Sequence, residues 1–185
     1  MPLGRHRRRR QRDERLAGLR SFAARQDWSV VPLVDPLTRL TALQLVAAGR
    51  AGTELAVEGV WDGRAALLAS VLVHHAAAPE RRLRDQVLLA ASVELWPDAW
   101  GARWALVVAP DGGVEPVYGE VPTTAAALVL RAGSRLPGET WSAGGGLLVW
   151  AASLTGSWSA ERLAGLADER MHGMGELAAR LDHQL

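Results

Sequence analysis

The stretch TELAVEGVW (Thr53–Trp61), the dipeptide Asp62-Gly63 and the run RAALLASVLVH (Arg64–His74) decide the fold. Thr53–Trp61 alternates loosely between apolar and other side chains, which is the period of a strand with one face on a core. Asp-Gly suits a type I′ turn, because both central residues need positive φ and Gly adopts it without a Cβ clash. Arg64–His74 then continues as a largely apolar strand. The three pieces predict an antiparallel hairpin in the middle of the chain.

Working outward, Gln11–Arg25 reads as a helix with Leu16, Leu19, Phe22 and Ala23 on one stripe. Trp28–Val34 reads as a strand, confined by Pro32 to an edge or a bend. Asp35-Pro36 opens a second helix carrying Leu37, Leu40, Leu43 and Ala47, with Gly49 as its stop. After a connector at Pro79–Arg82, further strands are expected at Gln86–Trp96, Trp104–Ala109 and Val114–Tyr118. Thr123–Ala132 fits a helix or a strand, and its alanines favour the helix. Glu139–Ala143, the turn Gly144–Gly146 and Leu147–Ser153 form a second hairpin. A long helix from Ser159 to about His183 closes the chain, with Leu163, Ala167, Met171, Met174, Ala178, Leu181 and Leu185 on its stripe. Strands grouped between helices predict an α+β fold, with a mainly antiparallel sheet of about six strands and helices packed on one face. The expected organisation is a flexible basic arm over residues 1–12 and a single α+β domain over 13–185.

Composition excludes several chemistries. All 21 basic residues are Arg, and Lys, Cys, Asn and Ile are absent, as G+C-rich coding would produce. Without Lys there is no Schiff base and no P-loop lysine. Without Cys there is no disulfide, thiolate nucleophile or Cys-ligated zinc. No G-x-S-x-G occurs, and the Gly144–Gly146 run leads into a strand, so no helix dipole stands behind it to bind phosphate. His74 and His75 are adjacent on a strand and point to opposite faces; His172 and His183 are about three helical turns apart. Glu54 and Glu58 share one strand face and read as its solvated side. Hence no catalytic residue, metal or cofactor is expected. The uncharged run Thr140–Ala160 is rich in Gly, Ser and Thr and lacks the continuous apolar surface of a membrane span. The basic start runs into Asp13 and Glu14 without an apolar stretch, so a cytoplasmic location is expected.

Charge is divided unevenly. Residues 1–25 hold nine Arg against Asp13 and Glu14, a net of +7, while the remainder holds twelve Arg against eighteen acids, a net of −6. Arg5, Arg7, Arg8, Arg9, Arg10 and Arg12 therefore form the candidate anion-binding set. The partners they imply are a polyanion (nucleic acid or an anionic membrane surface) or an acidic protein. No zinc finger, RNP motif or recognition helix accompanies them, so sequence-specific reading of nucleic acid is not expected. The function expected is that of a non-enzymatic interaction protein. The alternative is a small ligand binder or enzyme using a Trp-lined sheet rim at Trp96, Trp100 and Trp104, which lie close together around a loop. The other Trp residues supply bulk to a core with a single Phe and no Ile. The heptad-like spacing of the last helix also allows a homodimer through that helix.

Three groups of residues carry a resemblance. They are Phe22-Ala23 followed by Trp28-Ser29-Val30, the hairpin Gly59-Val60-Trp61-Asp62-Gly63-Arg64, and Trp141, Gly145, Leu148 and Trp150 before a helix from Ser159. In this layout the chain resembles uncharacterised proteins common in actinobacteria. The resemblance spans most of the chain and implies a fold pattern, with no catalytic residues attached to it.

Overall fold

A computed structural model describes residues 3–31, 49–75, 86–96, 101, 103–131, 136 and 138–182. In chain order the elements are α1 (Leu3–Gln26), β1 (Ser29–Val31), β2 (Gly49–Trp61), β3 (Arg64–His75), β4 (Gln86–Glu94), β5 (Trp104–Val108), β6 (Val114–Tyr118), α2 (Thr123–Arg131), β7 (Thr140–Gly144), β8 (Leu147–Ser153) and α3 (Ala160–Asp182). The strands form one sheet in the order β1-β2-β3-β4-β8-β7-β5-β6. Every neighbouring pair is antiparallel. The fold is α+β, and its sheet has eight strands among the described residues, not about six, because the expected edge strands, the three-residue β1 and the exposed β6, both join it.

The central hairpin forms as its turn chemistry dictates. Asp62 and Gly63 both have positive φ, 49° and 78°, and Trp61 pairs directly with Arg64 across them. The first helix departs from expectation by starting at Leu3 instead of Gln11. Arg is a good helix former, no proline or β-branched residue interrupts residues 3–15, and Arg10 pairs with Glu14 one turn on at 3.0 Å. The stretch read as a flexible arm is thus helical from Leu3. Gly49, read as a helix stop, is the first residue of β2; the rest of that expected helix and the Pro79–Arg82 connector lie outside the described residues.

The three described helices cover one face of the sheet, over a core that includes Leu19, Phe22, Leu68, Ala91, Trp141 and Trp150. Alternate residues of the same strands, among them Ala56, Leu67, Ala69, Ala90 and Val149, form a second buried cluster on the opposite face. Burial on both faces is why the central strands read as continuous apolar runs. α3 packs on α1, α2 and strands β4 and β8, so its buried face is wide: Ala164, Leu166 and Leu177 are covered along with the expected stripe from Leu163 to Leu181. Its start is capped by Ser159, whose Oγ accepts from the Arg162 N–H at 3.2 Å. Gly18 lets α1 cross closely, since a Cβ there would stand 2.7 Å from the Ala160 carbonyl oxygen. The stripe that read as a dimer seam is therefore occupied within the chain, and α3 offers solvent a polar face of Glu161, Arg162, Glu169, His172, Glu176 and Arg180.

Candidate functional site

The basic residues are presented by the beginning of α1. His6, Arg7, Arg8, Arg9, Arg10 and Arg12 are exposed; the side chain of Arg5 lies outside the described residues. α1 runs alongside α3, joined to the loop before it by Gln11 Nε2 to Ser157 Oγ at 3.2 Å and, further on, to the helix itself by Arg25 to Asp168. Nothing from His6 to Arg10 is buried. At 100° per residue, Arg8, Arg9 and Arg12 share one flank of the helix, and Arg7 and Arg10 share the other. Among the described residues, Arg7, Arg8 and Arg9 have no ion-pair partner.

Where the basic run meets the body it is latched by one carboxylate. Glu54 accepts from Arg12 Nε at 3.0 Å, from Arg15 Nη2 at 3.1 Å and from Ser70 Oγ at 2.8 Å. The register of β2 against β3 shifts between Thr53 and Leu55, so Glu54 is the extra residue of a β-bulge. The bulge corrects the expected sharing of one solvated face: Glu58 is exposed, whereas Glu54 is turned toward α1 with its side chain only 8% exposed. Burial alone would raise the Glu54 carboxyl, but the Ser70 hydrogen bond, the hydrogen bond and charge of Arg15 and the Arg12 bond outweigh it and hold it below its usual value.

Two more ion pairs lie deeper. Glu139, just before β7, meets Arg170 of α3 with both side chains almost fully buried, and also accepts from Trp141 Nε1 at 2.8 Å and the Leu136 N–H at 3.1 Å. Arg64, just after the hairpin turn, pairs with Asp182 at the end of α3 and donates to the Glu94 carbonyl at 3.3 Å. Asp182 also accepts from the Trp96 N–H at 3.2 Å, and the Arg64 guanidinium lies 4.7 Å from the centre of the Trp96 ring. None of these pairs was found from sequence. Arg170 carried the one available signal: it sits at a core position of the α3 stripe, three residues after Ala167 and four before Met174.

The three Trp residues expected to form a rim are not gathered into one. Trp96 is 53% exposed, whereas Trp104 points into the core at 2%. β8 and β7 separate β4 from β5, placing the two strands three spacings, about 14 Å, apart. Trp100 lies outside the described residues. Among the described residues no three His, Asp or Glu side chains stand close enough to hold a metal ion, and no helix is long and apolar enough to cross a membrane. No family model, curated protein or solved structure matches the chain.

Proposed function

We propose that the protein is a non-enzymatic interaction protein whose basic N-terminal helix engages an anionic partner. The single observation that carries this reading is the exposure of Arg7, Arg8, Arg9 and Arg10 on a helix, three of them without an ion-pair partner among the described residues. Folding a flexible basic tail on contact costs conformational entropy, and a helix already formed avoids part of that cost. The stretch from Gly4 to Arg15 carries no apolar side chain, so its attraction to a partner is electrostatic, with nothing to insert among acyl chains. Arg on both flanks suits a run of phosphates or carboxylates on a partner surface and gives no means of reading a base sequence.

The test is binding of full-length protein to a nucleic acid duplex and to anionic vesicles over a range of salt. Affinity for the true partner class should fall steeply with ionic strength. Replacing Arg7, Arg8, Arg9 and Arg10 together by Ala should abolish most of the salt dependence. Unchanged binding in that variant would refute the proposal.

A further inference from the structure

A cleft of about 570 Å3 opens where the β2–β3 turn, the end of β4 and the last turns of α3 meet. Asp62, Arg64, Trp96, His172, Glu176 and Asp182 line it. Arg64 and Asp182 are only 4% and 3% exposed and are paired with each other, so their charges cancel within the wall. Arg64 also donates to the Glu94 carbonyl. What the cleft shows to solvent is different in sign. Asp62 and Glu176 are exposed, and Trp96 is half-exposed, with the Arg64 guanidinium already on its ring. Glu176 meets Arg180 at 2.9 Å, but both side chains are about half-exposed, and a pair of that kind exchanges readily with a competing cation.

Gly173 and Gly175 shape the α3 side of this cleft. A Cβ on residue 175 would stand 2.3 Å from Asp62 Oδ2, so the glycine is what allows the acidic turn to sit against the helix. Gly173 and Glu176 also border a narrower hollow between α2 and α3, where Leu128, Trp141 and Leu177 stand beside Arg131 and Glu169. The opening is therefore longer than a single side chain needs.

We propose that this cleft binds an arginine side chain of a basic peptide segment, with the guanidinium against the exposed part of the Trp96 ring that Arg64 leaves open and the carboxylates of Asp62 and Glu176 as its acceptors. A planar, weakly hydrated guanidinium stacks on an aromatic face and bonds carboxylates in its own plane, which an ammonium does less well. The adjoining hollow, where Glu169 and Glu176 offset Arg131, takes neighbouring residues of the segment, so a peptide binds better than free arginine. This inference goes beyond the arm's function and is independent of it.

Titration of a hexa-arginine peptide into full-length protein and into a variant lacking residues 3–10, followed by calorimetry and Trp fluorescence, tests it. Saturable one-to-one binding is expected in both, at least tenfold tighter than free arginine. Trp96→Ala and the double variant Asp62→Asn with Glu176→Gln should each lose tenfold or more, while Trp96→Phe should keep most of the affinity. Neutralising Glu115 and Glu120, acids near the far edge of the sheet, should change it less than twofold. Equal loss from that distal pair, or undiminished binding by Trp96→Ala, overturns the proposal in favour of attraction to the acidic body at large. Polyanion binding by the same cleft variants should be unchanged, which separates failure here from failure of the arm.

Discussion

Gly59 shows how finely single residues are fitted around the central hairpin. The Trp28 ring lies directly on it, and a Cβ would stand 2.2 Å from Trp28 Cδ1. That ring has nowhere to retreat: it meets Phe22 and Trp61 edge to face, and its Nε1 donates to the Val60 carbonyl at 3.2 Å. Gly59→Ala should therefore destabilise the protein by about 1–3 kcal/mol, measured by denaturant unfolding, as overpacking does in a filled core. Glu54 makes a prediction of a different kind. Its carboxyl is held below its ordinary value near 4.5, so the ionised form stabilises the fold at pH values above that figure. As pH falls through the lower folded value, the carboxylate takes up a proton and the contribution disappears. Glu54→Gln should cost about 1–3 kcal/mol at pH 7, by leaving buried donors of Arg15 underserved. Unfolding midpoints of the two proteins should converge as the pH is lowered past the point where Glu54 is protonated in the folded protein, and parallel curves would show that the carboxylate's charge is irrelevant.

At the scale of elements, α3 makes the sharpest claim. Leu163 and Met174 are fully buried, and each faces a different part of a helix enclosed by α1, α2 and the sheet. Leu163→Ala should cost about 2–5 kcal/mol through lost burial and the cavity left behind. Met174→Asp should cost at least as much by burying a charge without a partner. Thermal and denaturant unfolding would measure both, and an unchanged midpoint in either would refute the packing described. This helix was legible in the sequence because its apolar period is long and unbroken by Gly173 and Gly175. The β2–β3 hairpin was legible because Asp62-Gly63 admits one turn geometry, and β6 was legible between its turn residues. The order of strands was not. Nothing local to Glu94 or Leu147 announces that β4 will pair with β8, since such a choice depends on how whole apolar faces meet. The bulge that reverses Glu54 was equally hidden, because it arises from a register shift that a single strand does not encode. In the candidate sites, the basic run could be read directly, whereas the Trp96 cleft joins Asp62 to Asp182 across more than half the chain.

The molecule as a whole sets a strongly basic helix on an acidic body. Residues 6–10 bury nothing, so their removal should leave the core intact. A variant lacking residues 3–10 retains the Arg12 and Arg15 contacts to Glu54 and should unfold within about 5 °C of the full chain. A larger fall would mean that the exposed turns support the body. The strand order has a temporal consequence as well. β2, β3 and β4 pair with their sequence neighbours and are complete once residue 94 has been synthesised. The free side of β4 then waits for β8, and the apolar face of α1 waits for α3, until some fifty to seventy more residues have emerged. During that interval a nascent chain exposes the part of α1 that will meet α3 and the edge of β4 that will meet β8. The first helix to leave the ribosome is thus covered on its sheet side alone until α3 arrives, and a chain stalled before Ala160 would present an ideal target for a chaperone or a protease.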